Sequence, residues 1–240
     1  GLAVGGANDS RLFSGARDWT VRLWDVETGQ ETARNNIHQN VVSFACWVPT
    51  SEHEVVQASE DLRLRVWDTR DMSKPAQVFE AAHNNIMTCC DVAADGRTLV
   101  SSSNGFDGAG CEVKVWDRRR QAMVAELVGH TESVTCVAFM QPSPYVIISG
   151  SQDSTLRVWD VRGCTQPEGK GPDQIPSDTV MDSSRSMLAP KHRLTSLSAN
   201  GGGVVHTASM SGALGKWHVK ADALSISLKY SAASDPLVAT

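Results

Sequence analysis

No apolar run in this 240-residue chain approaches the roughly 20 residues that a membrane-spanning helix requires, so no membrane span is expected. A basic leader is also missing. The chain opens on Gly1 rather than methionine, and its first residues show no signal peptide. The absent methionine leads us to expect a fragment of a longer protein. Clustered positive charge is scarce: Lys and Arg number 22 against 27 acids, for a net charge of −5, and the one short basic run is Arg118-Arg119-Arg120. That balance lacks the electrostatic footprint of a nucleic-acid binder, and no nucleic-acid partner is expected. Cysteine occurs six times, at Cys46, Cys89, Cys90, Cys111, Cys136 and Cys164, but never as C-x-x-C. No spacing among them matches a zinc site. Cys46, Cys89 and Cys136 lie in apolar strand-like runs, where free cysteine behaves as a small buried hydrophobe. Reduced thiols of this kind imply an intracellular compartment.

Signatures of catalysis are missing too. Serine is plentiful, yet none stands in G-x-S-x-G, and SGSQD reads as a turn. The glycine runs Gly5-Gly6 and Gly201-Gly202-Gly203 are not followed by Lys-Ser/Thr, as a phosphate loop would need. His53, His192, His206 and His218 share no metal-favouring spacing with acids or cysteines. The expectation is no catalytic residue, no metal and no cofactor, hence no enzyme.

What is present is a repeat. VRLWD ends at Asp25, LRVWD at Asp68, VKVWD at Asp117 and LRVWD at Asp160, and a worn copy, LGKWH, ends at His218. The tryptophans lie 43, 49, 43 and 58 residues apart. Two intervals match the ~40–45 residues of a propeller blade, and two are that length plus an insertion. One insertion is NGFDGAG at 104–110. The other is a Pro-, Ser- and Asp-rich stretch at 163–190, which reads as a flexible loop. Each phrase alternates apolar and polar residues, as a half-buried strand does. A second strand and tight turn precede it in LFSGARD, VVQASED and VIISGSQD. Asp18, Asp61 and Asp153 stand six residues before their tryptophans; His38 and His130 stand 29 before theirs, and His83 and His192 fit the same place once insertions are allowed.

These phrases resemble the WD-repeat family. The resemblance implies an all-β fold, a β-propeller of four-stranded antiparallel blades, each braced by a hydrogen-bonded chain of His, Ser or Thr, Asp and Trp. Carried over, the best blade has His130, Ser149, Asp153 and Trp159, and a second has His38, Asp61 and Trp67 with Gln57 in the Ser/Thr place. The blade ending at Trp116 has His83 but Gly110 where the Asp belongs; the last has Ser211 in that place and His218 after its Trp, so it should be less rigid. NVVSFACWVP, SEDLRLRVWD and SSSNGFDGAGCEVKVWD carry a narrower resemblance, from Gly1 through Lys220, to a ciliary branch of the family. It implies a single propeller over residues 1–240 with about five of seven blades present, the first truncated and the N-terminal blades missing.

The function implied by the resemblance is a non-catalytic protein–protein interaction scaffold in the cytoplasm or cilium, with ciliary assemblies as partners. Trp19, beside Arg17 in the turn before the first Trp strand, is a candidate contact because tryptophan is enriched at binding hot spots. Its other possible place is folded onto a neighbouring loop. Trp47 reads as core packing. On the opposite face, WDTR, WDRR and WDVR place Arg70, Arg119 and Arg162 where they could fork partner carboxylates. IISGSQDSTLRVWDVR resembles the box through which propellers dock an adaptor as substrate receptors of Cullin-RING ubiquitin ligases, and this is the alternative function.

Overall fold

The computed structural model describes residues 1–141, 143–162, 180–181, 193–200, 202–222 and 225–232. Except for Val180–Met181, the 163–190 insertion, with Cys164 in it, lies outside the described residues, as does His192.

Five four-stranded sheets succeed one another along the described chain, each an antiparallel meander whose spatial order is its chain order. The first is Leu2–Gly5, Arg11–Gly15, Thr20–Asp25 and Glu31–Asn36; the second is Val42–Trp47, Glu54–Ser59, Leu64–Asp68 and Gln77–Phe79. The third is Met87–Val92, Thr98–Ser103, Val113–Asp117 and Ala122–Leu127, and the fourth is Val134–Phe139, Val146–Ser151, Leu156–Asp160 and Val180–Met181. Leu194–Ala199, Val204–Ser209, Leu214–Asp222 and Ser225–Ala232 complete the fifth. The first sheet has all four strands, but its inner strand is shortened as the sequence suggested: Leu2–Gly5 runs four residues against six in the first strands of the other sheets, and pairs with Arg11–Gly15 in antiparallel register.

The turn before each Trp strand shows how local chemistry sets the shape. Trp19, Leu62 and Ser154 have φ of 68°, 67° and 68°, the left-handed region that β-carbons normally avoid. The preceding aspartate holds each turn in place. Asp18 accepts the Thr20 N–H at 3.0 Å, Asp61 the Arg63 N–H at 3.2 Å and Asp153 the Thr155 N–H at 2.8 Å. These are Asx-type turns, in which the carboxylate replaces a backbone acceptor. In the fifth sheet, where Ser211 replaces the aspartate, Gly212 takes the positive φ of 80°.

First strands pack beside first strands around a common axis, and the core lies between sheets. Each tryptophan of the repeated phrase, from the second sheet on, leans on the sheet before it. Trp67 packs with Phe13 and Val21, Trp116 with Val56, Leu64 and Val66, Trp159 with Val113 and Val115, and Trp217 with Ile148, Leu156 and Val158. A buried tryptophan hides on the order of 150–250 Å², about 4–6 kcal/mol of apolar transfer, so these contacts dominate inter-sheet cohesion. Trp24 has no preceding sheet and is only half-buried, whereas Trp67 and Trp217 are fully covered. Beside it on that open face, Leu2 is 70% and Val4 56% exposed.

The far face of the fifth sheet differs in kind. The forward-facing positions held by Phe13, Val56, Val100 and Ile148 in the earlier sheets are held there by His206. Those held by Leu23, Val66, Val115 and Val158 are held by Lys216. One end of the array is thus apolar and the other polar.

Candidate partner-binding site

The loops before the Trp strands stand on a hydrogen-bonded frame, and the frame differs between sheets. In the fourth sheet Trp159 Nε1–H donates to Ser149 Oγ at 2.8 Å, Ser149 lies 2.8 Å from His130 Nε2, and His130 Nδ1 lies 2.8 Å from Asp153 Oδ2. Donors and acceptors fit if Ser149 donates to Nε2 and the Nδ1–H donates to the carboxylate. Burial lowers the His130 pKa despite the neighbouring carboxylate, so the imidazole is neutral; hydrogen bonds from His130 and Thr155 hold Asp153 far below the usual carboxylate range against the opposing effect of burial. The third sheet has the same start, with Trp116 Nε1–H donating to Ser101 Oγ at 2.9 Å and Ser101 2.7 Å from His83 Nε2. There the chain stops. Gly110 stands in the Asp place, and the buried His83 Nδ1 finds no partner among the described residues.

The second sheet departs from expectation. His38 does not enter its frame. Trp67 Nε1–H donates to Gln57 Oε1 at 2.7 Å, and the Gln57 amide donates in turn to Asn40 Oδ1. Arg65 then links Asn40 Oδ1, at 3.0 Å, to both oxygens of Asp61, at 3.1 and 2.6 Å. Gln57 is long enough to span the space that a serine and an imidazole share elsewhere, so the shorter Asn40 fills what remains. His38 lies exposed two residues earlier, its ring tilted 59° against that of Trp19 with the centroids 4.6 Å apart. Because His38 makes no buried bond, His38→Ala should change stability by less than about 0.5 kcal/mol in urea melts. A loss of several kcal/mol would restore it to the frame.

Trp19 is therefore neither buried in its own blade nor isolated. It is held at positive φ by Asp18, rests against His38 of the connection to the next sheet and remains 37% exposed. Arg17 beside it is nearly free in solvent, 3.7 Å from Glu60. The NGFDGAG insertion forms a second raised feature. Phe106 bridges Ala109 and Glu132, the Gly108 N–H donates to Thr131 O at 2.9 Å, and Phe106 itself is 73% exposed. A protruding phenylalanine on an anchored hairpin is not evident from sequence, where only the glycine content stands out.

On the opposite face the three arginines separate. Arg70 forks its own Asp68, Nε to Oδ1 at 3.0 Å and Nη2 to Oδ2 at 2.7 Å, and this holds Asp68 at about 2. Arg162 folds back on Asp160 in the same way, Nε to Oδ2 at 2.8 Å. Arg119 is exposed, and among the described residues only its backbone N–H is engaged, with Asp117 Oδ1 at 2.8 Å. The neighbouring Arg118 is an inter-sheet clamp, paired with Glu54 and donating to Gln77 Oε1 at 3.1 Å.

Among the described residues no group of three or more His, Cys, Asp and Glu could hold a metal, and Cys46, Cys89, Cys90, Cys111 and Cys136 are free thiols. No helix among the described residues is long and apolar enough to cross a membrane. Trp47, read from sequence as core, is only half-buried; its indole N–H donates to Ala3 O at 3.0 Å, and it lines a cavity on the axis.

Comparison with known proteins agrees with this architecture. The WD domain, G-beta repeat family matches residues 4–25, 73–117 and 121–160. Mouse kinesin-like protein KIF21B is 26% identical over 176 residues, covering 66% of this chain and 10% of that protein. The rice ribosome biogenesis protein WDR12 homolog is 31% identical over 147 residues, 60% of this chain and 32% of that protein. WD repeat and SOCS box-containing protein 1 of Xenopus tropicalis is 31% identical over 118 residues, 49% of this chain and 26% of that protein. The chain thus spans a minor part of each of these relatives. The repeat matches and the relatives together support its place in the WD-repeat family.

Proposed function

We propose that this chain is a non-catalytic protein–protein interaction scaffold serving ciliary assembly or trafficking, and that the Trp19 surface is one of its contact sites. The observation that carries the reading is the tilted ring contact between Trp19 and His38. An aromatic platform is held out by its own turn at a left-handed backbone angle, with Arg17 alongside. Such a residue costs the fold about 1–2 kcal/mol in backbone strain and contributes little to the core. Rigid scaffolds carrying independent loops bind partners readily. The ciliary part rests on the likeness of NVVSFACWVP and SSSNGFDGAGCEVKVWD to WD repeat-containing protein 31, a ciliary protein, and the kinesin-like relative is in keeping with a cytoskeletal setting.

Affinity capture of the full-length protein from ciliated cells, read by mass spectrometry, tests the reading. Ciliary trafficking or axonemal proteins should be recovered, and Trp19→Ala should deplete them about tenfold, the loss typical of a moderate hot spot, while leaving the melting curve in place. A Trp19→Ala protein that unfolds would show Trp19 to be packing. Unchanged capture would remove it from the contact surface.

The second reading is a substrate receptor of a Cullin-RING ubiquitin ligase. The exposed Arg119 favours it, as does likeness to a protein named for its SOCS box. Arg119→Ala should then abolish recovery of the ligase adaptor without loss of fold. Arg70→Ala and Arg162→Ala should act more weakly, since each arginine must first leave its own aspartate. Recovery of no Cullin from the wild-type protein would end this reading. We also propose that the full ring has seven blades and that a further blade covers the Leu2, Val4 and Trp24 face, because this face has the apolar character of the inter-sheet contacts.

A further inference from the structure

The first strands of all five sheets line an axial cavity of about 560 Å³ that is partly open to solvent, within the size range of small-molecule pockets. Its walls are mostly small side chains. Strand register puts Ala3, Cys46, Asp91, Ala138 and Ser198 at equivalent positions, opposite Phe13, Val56, Val100, Ile148 and His206 of the second strands. Asp91 is the one carboxylate in that set. It lines the cavity together with two aromatic rings, Phe44 and Trp47, and Phe44 is 39% exposed although it belongs to an inner strand.

The carboxylate is bonded but not neutralised. Asp91 Oδ2 accepts the Phe139 N–H of the next inner strand at 2.8 Å, and the Val92 N–H is its other donor. Both are backbone dipoles. No Lys, Arg or His lines the cavity among the described residues. Burial pushes the Asp91 carboxyl up to about 6, so at neutral pH it is mostly ionised, with no counter-charge among the described residues that line the cavity. A metal ion is a poor answer, because one carboxylate is too few ligands, and the thiols nearby stay protonated, Cys46 through its contact with the Cys90 thiol and through burial, Cys89 through burial. A carboxylate in a cavity that also presents two aromatic rings suits an organic cation, which can gain charge pairing and cation–π attraction together.

We propose that the axial cavity is a binding site for an organic cation, the ammonium or guanidinium head of a lysine or arginine side chain inserted along the axis by a partner protein. The proposal deepens the scaffold reading and rests on it only for the source of the side chain. The cation seats against Asp91, and its methylene stem runs past Phe44 and Trp47 along the axis.

The test is NMR titration of the full chain with n-pentylammonium and n-pentylguanidinium, with 1-hexanol as a neutral probe of similar shape. Saturable shifts of the Trp47 indole N–H and the Asp91 carboxyl carbon are expected with the cations. Asp91→Asn keeps an acceptor for the Phe139 N–H but loses the charge, and should weaken binding about tenfold or more, as loss of a charge-assisted contact does. Hexanol should bind wild type and variant alike, and weakly. Absence of saturable shifts with either cation would overturn the proposal. So would equal cation affinity in Asp91→Asn, which would show a merely apolar cavity. Partner capture that survives Asp91→Asn, alongside failed probe binding, would sink this proposal and leave the scaffold reading standing. Loss of capture in Trp19→Ala alone bears only on the scaffold reading.

Discussion

His130→Ala should lower the unfolding free energy by about 3 kcal/mol, several times the effect of His38→Ala. The 29-residue spacing to tryptophan assigns the two histidines the same role, but their surroundings are opposite. The His130 side chain is fully covered and joins Ser149 to Asp153, itself 6% exposed. Removing the imidazole leaves the Ser149 hydroxyl and the Asp153 carboxylate without their shared partner, at about 1–3 kcal/mol for an unsatisfied buried group, and opens a cavity beside Trp159. The pH dependence has a definite sign. The folded-state pKa of His130 lies below its ordinary value, so the unfolded chain binds the proton first as pH falls through about 6.5. The wild-type protein loses that stability and the variant has none to lose, so the difference between them narrows from pH 7 toward pH 5. His83, pushed down to about 3 by burial, adds a similar acid-side loss to both proteins between about 6.5 and 3. Asp153, held low, contributes stability that is fully present above about 4 and disappears only below it. Urea melts at three pH values measure all of this. A constant difference across pH would show that His130 titrates alike in the folded and unfolded states, and a difference that widens toward pH 5 would show that the folded state holds it charged.

Much of the fold was legible because one phrase does several jobs. In LRVWD the alternation makes the strand, the tryptophan covers the sheet before it and the aspartate caps the next turn, so its recurrence located the Trp strands of all five sheets. The complete frame of the fourth sheet could be read for the same reason: Asp153 is fixed by the Asx turn and Ser149 by its pairing with Arg157 beside Trp159. The second sheet resisted because spacing does not record side-chain length. Gln57 reaches about as far as Ser149 and His130 together, which shifts the next partner from His38 to Asn40 and recruits Arg65. Phe106 was missed because the insertion's glycines hid the one bulky residue they present. Asp91 was illegible for a deeper reason. In CCDV the acid follows two cysteines and precedes a valine, so no apolar–polar alternation marks the half-buried Asp91 as a residue lining the axis.

Asp91→Asn should raise stability by about 1–2 kcal/mol at pH 7.5, an unusual direction for a substitution inside a core. Proton linkage is again the cause. Burial lifts the folded-state carboxyl to about 6 from an ordinary value of 3.8. Between those values the folded protein holds a proton that the unfolded chain has released, so stability falls as pH rises from about 4 to 6 and is level above. At about 1.4 kcal/mol per pH unit the full penalty approaches roughly 3 kcal/mol. Part of the gain is offset because an amide oxygen accepts the Phe139 N–H less strongly than a carboxylate. At pH 4 wild type and variant should therefore melt nearly together, and at pH 7.5 the variant should melt higher. Saturating n-pentylammonium should shrink that gap at pH 7.5 by binding the folded wild type through the uncompensated charge. A residue that costs stability while facing an open cavity is the pattern expected of a binding group, since packing alone favours its neutral counterpart. If Asp91→Asn instead destabilises at pH 7.5 as well as at pH 4, the carboxylate is a structural acceptor for the inner strand, and its place on the cavity wall is incidental.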